Sequence, residues 1–502
     1  MDRVFATERD LVRFAGDLAM ALKPGDCLLL EGDLGAGKTT FARAAIRALA
    51  GDREGRLEVP SPTFTLVQSY DLRLPVAHFD LYRIADPAEL DELGLPDALE
   101  TGVVFVEWPE RAAGNLPDDA VRVTFTEPAD PDARNVAVAG PPDFLARLER
   151  SLAIRGFLET AGWGAADRHF LLGDASTRAY ETVDRGGDTA ILMNAPRRPD
   201  GPPVRDGKPY SRIAHLAEDV LPFVAVGRLL RSNGFRAPEI FAFDLDAGFV
   251  LLENLGAGGI VDENRVPVPA RYEAAVECLA AMHRVDWPRD IGIGGRAYRV
   301  PDFDLPAFMI EAELLVDWYL PRVAGSRLPE PELEAFRALW TRLFGLVDSG
   351  AKTLVLRDFH SPNIIWDDSA AGVARVGLID FQDAMIGSAA YDVASVVQDA
   401  RVDVSPALQH RLLDRYCALR AAAGGFDEDA FRLAFAILAV QRATKILGIF
   451  VRLDERDGKP GYLAHIPRLQ AYLRESLRHS ALADIAAWYQ KHGILDARVE
   501  PR

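Results

Sequence analysis

The chain contains few cysteines, and they form no metal-binding cluster. Cys27, Cys278 and Cys417 are the three cysteines among 502 residues, and no CxxC or Cys/His group surrounds them. This spacing argues against a disulfide framework and against a zinc site. Isolated cysteines are most simply reduced thiols in the core of a cytosolic protein. The sequence therefore predicts a cytoplasmic location.

Long apolar runs are also lacking. No run approaches the ~18 residues that a membrane span requires, and the best candidate, 435–440, is flanked by Arg432 and Arg442. The first ten residues, MDRVFATERD, have no apolar segment of the kind that signal peptides carry. We therefore expect no membrane partner.

Basic charge is scarce relative to acidic charge. The chain has 57 Lys and Arg against 75 Asp and Glu, which gives a net charge of −18. Proteins whose main task is gripping a phosphate backbone usually show a basic balance or a basic stripe. Direct, tight binding of nucleic acid is therefore not expected.

The length and the order of the predicted elements indicate an α/β protein with two domains. A chain of 502 residues exceeds what one hydrophobic core usually serves. Strands alternate with helices over residues 1–148. The pattern Thr7 to Asp10 predicts the start of a first helix, and strands are predicted at 27–30, 64–70, 76–79, 103–107, 121–125 and 135–138. From residue 152 onward, short strands over about 155–255, with one helix around 213–233, precede mainly helical patterns over about 256–490. This outline, a small β-rich lobe followed by a large helical lobe, is typical of kinase-like folds.

A glycine-rich segment in the first domain predicts a nucleotide site. Residues 32–39, GDLGAGKT, match the pattern G-x-x-x-x-G-K-[ST] between an apolar strand at 27–30 and a helix at 38–50. Such a loop turns backbone N–H groups toward phosphate oxygens, and the helix N-terminus adds its positive dipole. Lys38 would reach the β and γ phosphates, and Thr39 would bind magnesium. The predicted ATP contacts are Gly32, Gly35, Gly37, Lys38, Thr39 and Thr40.

Two acidic residues near strand ends are candidates for the remaining chemistry of an ATPase. Asp80 follows the apolar strand 76–79, and Glu107 ends the strand 103–107. Hydrolysis of ATP requires groups that hold magnesium and orient the attacking water. Taken alone, either acid is equally consistent with a strand end or a helix cap.

These motifs together resemble the bacterial TsaE family, the ATPase subunit of the machinery that makes N6-threonylcarbamoyladenosine at position 37 of tRNAs. The resemblance covers about residues 1–145 and depends on the segments 32–40, 61–65, 78–83 and 107–108. It implies that Thr63 lies in a switch-like loop, that Asp80 and Glu107 serve magnesium and hydrolysis, and that Trp108 packs near the nucleotide. It also implies partners, the other subunits of the tRNA threonylcarbamoyltransferase complex, through which tRNA is mainly contacted.

A second constellation lies in the second domain. Asn363 follows Asp358 by five residues, and Asp380 comes seventeen residues later at the end of the apolar strand 375–380. In kinase-like enzymes the first Asp accepts the substrate's hydroxyl proton, while the Asn and the second Asp hold magnesium against ATP. The alternative interpretation is a loop Asp that caps a turn and an Asn in a left-handed conformation.

The second domain resembles aminoglycoside-phosphotransferase-like small-molecule kinases over about residues 155–475. Within them it is more similar to bacterial kinases that phosphorylate the anomeric hydroxyl of N-acetylmuramate and N-acetylglucosamine in cell-wall recycling. The segments that carry this resemblance are 173–176, 190–196, 317–319, 379–384, 391–395, 441–442 and 448–450. The resemblance implies ATP and Mg²⁺ as cofactors and a small amino sugar as substrate. The expected fold is a P-loop NTPase domain followed by a two-lobed kinase-like domain.

The small lobe departs from the protein-kinase pattern in two ways. The strand 189–193 contains no lysine for the ATP phosphates, and Met193 stands in about that place. Arg178, Arg197 or Lys208 would have to compensate. The preceding loop has one glycine, so its backbone and the Ser176 hydroxyl would bind the phosphate.

Polar residues beyond Asp380 are candidates for sugar recognition: Gln382, Asp383 and Arg442. His360 is interpreted as a satisfied structural histidine in preference to one that orients the loop. Trp318 and Tyr319 fit helix packing better than stacking on a sugar ring.

Two alternatives for the second domain stay open at this point. In the first alternative, the domain is a kinase whose substrate is an aminoglycoside or an amino alcohol. In the second, the domain is a catalytically weak nucleotide-binding module that regulates the ATPase.

Overall fold

The structure is a computed structural model that describes residues 1–52, 56–84, 93–112, 114–126, 133–171 and 178–501. It divides into two compact units, Met1–Ala195 with Phe249–Leu252, and Pro196–Gly248 with Glu253–Arg502. The domain boundary predicted between residues 148 and 152 lies inside the helix Pro142–Thr160. The division at that point stays a prediction.

The strands and helices follow one another along the chain as a mixed α/β pattern, as expected. The strands are β1 (Asp2–Phe5), β2 (Cys27–Glu31), β3 (Val67–Tyr70), β4 (Val76–Asp80), β5 (Val103–Glu107), β6 (Val121–Thr126), β7 (Arg134–Ala139), β8 (Asp167–Leu171), β9 (Ala179–Arg185), β10 (Asp188–Asn194), β11 (Pro203–Arg205), β12 (Lys208–Pro209), β13 (Ile240–Asp244), β14 (Phe249–Glu253), β15 (Asp290–Ile293), β16 (Arg296–Arg299), β17 (Lys352–Val355), β18 (Ile364–Trp366), β19 (Val376–Leu378) and β20 (Met385–Ser388). The helices are α1 (Glu8–Ala19), α2 (Lys38–Ala50), α3 (Leu95–Thr101), α4 (Pro142–Thr160), α5 (Tyr210–Ile213), α6 (Leu221–Ser232), α7 (Pro269–Met282), α8 (Leu305–Ala312), α9 (Leu320–Ala324), α10 (Glu330–Asp348), α11 (Ala390–Val397), α12 (Pro406–Ala422), α13 (Glu428–Asp457), α14 (Ile466–Ser476) and α15 (Ala483–Lys491).

A seven-stranded sheet organises the first unit, in the order β1-β7-β6-β2-β5-β4-β3. Its central strands β6, β2, β5 and β4 are parallel, β3 and β7 pair antiparallel with β4 and β6, and β1 pairs antiparallel with β7. Alternate residues of β2 face opposite sides of the sheet. Leu28 and Leu30 pack with α1 and α2, whereas Cys27 and Leu29 pack in a separate cluster on the other face.

The sequence predicted most strands of this sheet and the start of α1. Thr7 caps that helix, because its hydroxyl oxygen accepts a hydrogen bond from the backbone N–H of Asp10 at 3.2 Å. Strand β1 was not predicted. Three of its four residues are exposed, so it lacks the alternation of apolar residues that marks a half-buried strand.

The first unit also contains the neighbouring strands β14, β10, β9 and β8 of a second sheet, in which β9 pairs antiparallel with both β10 and β8. A cluster of buried charges joins it to the helices of the larger sheet. Arg168 on β8 donates to Glu181 on β9 at 2.7 and 2.8 Å, and to Asp17 on α1 at 2.9 Å. Arg155 on α4 also donates to Asp17, and these four residues are at most 8% exposed. Each buried charge therefore has partners of opposite sign, as burial requires.

The second unit is mainly helical and is built around α13. In the described part of the chain, α13 is the helix long and apolar enough to cross a membrane, with a mean hydropathy of 1.6 over its most apolar window. However, 89% of that window is buried inside the protein, as in a core helix. At Gly448 the backbone of this helix comes so close to its neighbour that an added Cβ would lie 2.2 Å from the carbonyl oxygen of Leu314.

One predicted helix, 213–233, is wrong as a single element. The structure instead has α5 and α6, separated by a loop in which His215 adopts a positive φ of 52°. Pro222 lies in the first turn of α6, where its missing N–H is tolerated. A continuous helix through this proline would have clashed with the preceding turn.

We expect Arg168→Met to destabilise the first unit by about 3–5 kcal/mol, because it leaves Glu181 buried without its cation. The measurement is urea unfolding followed by far-UV circular dichroism. Lys23→Met is the matched control. Lys23 and its partner Asp143 are 53% and 59% exposed, so this change should cost less than about 1 kcal/mol. Equal unfolding midpoints for the two variants would contradict the prediction.

Candidate active sites

The glycine-rich loop between β2 and α2 has the backbone that its sequence predicts. Gly32, Gly35 and Gly37 adopt φ values of 143°, 81° and 107°. At Gly32 an added Cβ would also lie 2.7 Å from the carbonyl oxygen of Phe125. Glycine is therefore required there both for conformation and for space. The loop leads directly into the N-terminus of α2, where anions are stabilised.

Lys38 folds back over this loop. Its Nζ donates to the carbonyl oxygens of Gly32 at 2.6 Å and Asp33 at 2.9 Å, and it lies 3.9 Å from the ring centroid of Trp108. Burial lowers the pKa of Lys38, although the nearby Glu107 carboxylate opposes the shift. The glycine-rich loop, the Lys38 ammonium group and the Trp108 ring therefore lie next to one another.

The two predicted acids lie side by side at the ends of β4 and β5, where Asp80 pairs in register with Glu107. The Thr39 hydroxyl donates to Glu107 Oε2 at 2.8 Å, and the other carboxylate oxygen lies 3.0 Å from His78 Nε2. The P-loop threonine and the strand-end carboxylate therefore meet. His78 is fully buried and fixes the Glu107 carboxylate, a contact that sequence reasoning missed.

Asp80 anchors the loop that contains Thr63. Its Oδ2 accepts hydrogen bonds from Ser61 at 3.1 Å and Thr63 at 2.8 Å, and its Oδ1 accepts the N–H of Tyr82 at 3.0 Å. The hydroxyl and carboxylate oxygens of Thr39, Asp80 and Glu107 are the ligand type that Mg²⁺ prefers, so this donor set fits the metal. Thr40, one residue beyond Thr39, lines a groove along α1, α2 and β8.

In the second unit the structure brings Asp358, Asn363 and Asp380 together. Asn363 Nδ2 donates to the backbone carbonyl oxygen of Asp358 at 2.9 Å and to Asp380 Oδ2 at 3.3 Å. Arg357 and Asp380 have positive φ angles of 68° and 58°. Such conformations cost energy and recur at functional sites, where the surrounding structure enforces them. The amide oxygen of Asn363 and the carboxylate of Asp380 are ligands of the type that Mg²⁺ prefers.

Two family models match the chain, in separate segments. The model described as "Threonylcarbamoyl adenosine biosynthesis protein TsaE" matches residues 5–136. The model described as "Phosphotransferase enzyme family" matches residues 167–432.

Curated relatives agree with this division. A protein of Caulobacter vibrioides named N-acetylmuramate/N-acetylglucosamine kinase is 35% identical over 70% of this chain and 98% of its own length. A protein of the same name from Pseudomonas aeruginosa is 33% identical over 64% of this chain and 89% of its own length. A tRNA threonylcarbamoyladenosine biosynthesis protein TsaE of Rickettsia bellii is 38% identical over 24% of this chain and 83% of its own length. The chain belongs to both families. It joins a TsaE-family segment to a member of the phosphotransferase enzyme family, and the resemblances read from its motifs are confirmed.

The backbone of the loop that contains Asp358 is fixed by residues that the sequence analysis did not assign. Asp392 on α11 is fully buried and accepts the N–H groups of Leu356 at 2.6 Å and Arg357 at 2.9 Å. Asp399 accepts the N–H of Ser361 at 2.8 Å. A signal was present in the sequence, because Asp392 is an isolated charge in an otherwise apolar helix.

Charge around Asp358 keeps its carboxylate ionised. Burial raises the pKa of Asp358, but the positive charges of Lys445, Arg357 and Arg442 lower it, and the net shift is downward. Burial lowers the pKa of His360, which favours the neutral imidazole. Its Nδ1 is buried with no hydrogen-bond partner in the described part of the chain. The interpretation of His360 as a satisfied structural histidine is therefore wrong.

The predicted sugar contacts fall in different places. Gln382 is 3% exposed and donates to Asp380 Oδ1 at 2.9 Å, so its observed contact orients the Asp380 carboxylate. Asp383 accepts the backbone N–H of Ala217 at 2.7 Å. Arg442 lines a cavity of about 110 Å³ that also contains Asp358 and Lys445. Of the three candidates, Arg442 is the one that lines this cavity with the proposed base.

The remaining candidates have simple placements. Tyr319 is fully buried and donates to the carbonyl oxygen of Ile494, which confirms helix packing for this residue. Met193 is buried in β10, while Arg197 and Lys208 are exposed. Which cation replaces the third-strand lysine stays a prediction, and Ser176 lies outside the described residues.

Gly32→Ala tests the P-loop directly. The added methyl group meets Phe125 and forces a strained φ, so we expect ATP affinity at that site to fall at least about tenfold. Calorimetric titration of the full chain with ATP should then show one tight site fewer than in the wild type. Gly51→Asn is the control, since Gly51 has a φ of 64°, a conformation that Asn tolerates, and open space around it. An unchanged titration for Gly32→Ala would contradict the prediction.

Proposed function

We propose that this chain is a bifunctional ATP-using enzyme. Its N-terminal half hydrolyses ATP as a component of the machinery that makes threonylcarbamoyladenosine in tRNA. Its C-terminal half transfers the γ-phosphoryl group of ATP to the anomeric hydroxyl of N-acetylmuramate or N-acetylglucosamine. The observation that carries the kinase half is the convergence of Asp358, Asn363 and Asp380 beside a cavity. The relatives' names support the choice of substrates.

We assign residues 1–148 to a P-loop NTPase domain and residues 152–502 to a two-lobed kinase-like domain. The parallel core of the seven-stranded sheet and the glycine-rich loop after β2 support the first assignment. The small lobe would span about residues 155–255 and the large lobe about 256–490, where helices predominate.

In the ATPase half, the loop 32–37 and Lys38 bind the phosphates, and Trp108 packs near the nucleotide. Magnesium would be held by Thr39 with Asp80 and Glu107, and it would neutralise charge on the phosphates. Glu107 orients the attacking water, because His78 and Thr39 fix its carboxylate at the end of β5. The expected partners are the other subunits of the tRNA threonylcarbamoyltransferase complex.

In the kinase half, Asp358 accepts the proton of the sugar's anomeric hydroxyl as the oxygen forms its bond to the γ-phosphorus. The bond from that phosphorus to the β–γ bridging oxygen breaks, and ADP leaves. The lowered pKa of Asp358 supports this role, since the base must be ionised before it can accept a proton. Asn363 and Asp380 would hold magnesium, which would bring charge neutralisation to the transferred group.

The charge of the cavity bears on the two alternatives. Its charged lining consists of Arg401, Arg442 and Lys445 against Asp358 and Asp399. The excess of one positive charge disfavours the cationic groups of aminoglycosides and amino alcohols. A purely regulatory nucleotide-binding module would require neither an ionised Asp358 nor a cavity beside it. An amino sugar without positive charge fits these features better than either alternative.

Asp358→Asn should abolish sugar-dependent release of ADP, with a loss of about 10²–10⁴-fold in kcat, because the proton acceptor is removed. A coupled ADP assay with N-acetylmuramate, N-acetylglucosamine, kanamycin and choline measures this loss and screens the alternatives. Asp368→Asn is the matched control, because Asp368 is 78% exposed and lies away from the cavity. If no compound raises turnover of the wild type, the kinase assignment fails.

Lys38→Ala should produce the opposite pattern. Removal of the phosphate-binding cation should lower sugar-independent ADP release about 10²-fold. Sugar-dependent release should stay within about twofold of wild type, because Lys38 lies in the other half. The same assay without sugar measures the first effect. Loss of both activities in Lys38→Ala would contradict two separate catalytic sites.

A further inference from the structure

The cavity beside Asp358 has a cationic side provided by one helix. Arg442 and Lys445 are three residues apart on α13, a spacing that places both on the same helix face. Both line the cavity, together with Asp358 and His360. In a chain with a net charge of −18, two adjacent cations beside a proposed base need a physical explanation.

Arg442 is placed to bind an anion. It is 6% exposed, and within the described residues its guanidinium donates one hydrogen bond, from Nη1 to the carbonyl oxygen of Gln398 at 3.2 Å. A guanidinium has five N–H donors in a planar fork. Most of this donor capacity therefore stays available at the wall of the cavity.

Lys445 adds positive charge behind Arg442. Its Nζ donates to Glu311 Oε1 at 2.6 Å and to the Tyr391 hydroxyl at 3.3 Å. Glu311 also pairs with Arg357, so one carboxylate balances two cations. Glu311, Arg357 and Lys445 together leave one positive charge in excess. The charged groups that line the cavity, Arg401, Arg442 and Lys445 against Asp358 and Asp399, also leave one positive charge in excess.

We propose that Arg442, supported by Lys445, binds a carboxylate of the sugar substrate and so makes the kinase selective for N-acetylmuramate over N-acetylglucosamine. This inference rests on the proposed sugar-kinase function. N-acetylmuramate differs from N-acetylglucosamine by a lactyl ether that carries a carboxylate. A planar guanidinium matches a carboxylate with two parallel hydrogen bonds, which gives geometric specificity as well as binding energy. When a neutral sugar is bound, the same N–H donors of Arg442 can bond only with water.

Arg442→Gln tests the assignment. Gln keeps an N–H donor for the Gln398 carbonyl oxygen but removes the charge and the fork. We expect the ratio of kcat/KM for N-acetylmuramate to that for N-acetylglucosamine to fall at least about tenfold. Arg432→Gln is the matched control on the same helix, because Arg432 pairs with Asp414 and Glu428 outside the cavity. This control should leave the ratio unchanged.

A substrate analogue removes any dependence on the folding of the variant. The methyl ester of N-acetylmuramate lacks the negative charge, so wild-type kcat/KM for the ester should be at least about tenfold below that for the acid. In Arg442→Gln the acid and the ester should be used almost equally. In Arg442→Lys, which keeps the charge without the fork, the preference should be intermediate.

The outcomes separate this proposal from the proposed function. If both sugars stimulate ADP release and the wild type treats acid and ester alike, the carboxylate site is refuted while the kinase stands. If Arg442→Gln has the same ratio of kcat/KM for the two sugars as the wild type, the carboxylate site is also refuted while the kinase stands. If neither sugar stimulates the wild type, the kinase function itself fails.

Discussion

The first unit depends on one buried carboxylate, Asp17. Two arginines from different elements, Arg155 on α4 and Arg168 on β8, converge on it, and Arg168 continues to Glu181 on β9. A buried charge without a partner is strongly destabilising. The helix that covers the large sheet and the strands of the small sheet must therefore keep one relative position. Both α1 and α2 contact β8, so the helix that begins at the P-loop belongs to the same packed body.

In the second unit, buried carboxylates fix the loop that contains Asp358. Asp392 and Asp399 accept backbone N–H groups of residues 356, 357 and 361, and these bonds enforce the positive φ of Arg357. Glu311 lies between Arg357 and Lys445 and holds two cations near Asp358. Carboxylates remote from the reaction thus fix the geometry and the charge of the carboxylate that we propose as the base. Lys445, which Glu311 holds in place, is one of the cations that line the cavity.

Much of this architecture was predictable, because it depends on local rules. The glycine pattern with Lys38 and Thr39, the cap at Thr7 and the strand-end acids Asp80 and Glu107 all act within a few residues of chain. The contacts that the sequence did not predict are non-local. His78, Asp392 and Lys445 acquire their contacts from partners 29, 35 and 134 residues away in sequence. The predicted helix 213–233 is wrong for a local reason, because Pro222 begins a new helix and cannot lie inside a continuous one.

By itself the sequence determined the chemistry available to the protein: two phosphate-binding motifs, their order along the chain and the two families to which it belongs. Motif spacing suffices for this because each motif is read along a short stretch of backbone. The tertiary structure decided which side chains surround each motif. It placed Gln382 on Asp380 instead of in the cavity, and it brought Arg442 and Lys445 to the cavity beside Asp358. Distances between residues far apart in sequence depend on the fold, because a buried charged side chain must lie next to its partners, however far away along the chain they are.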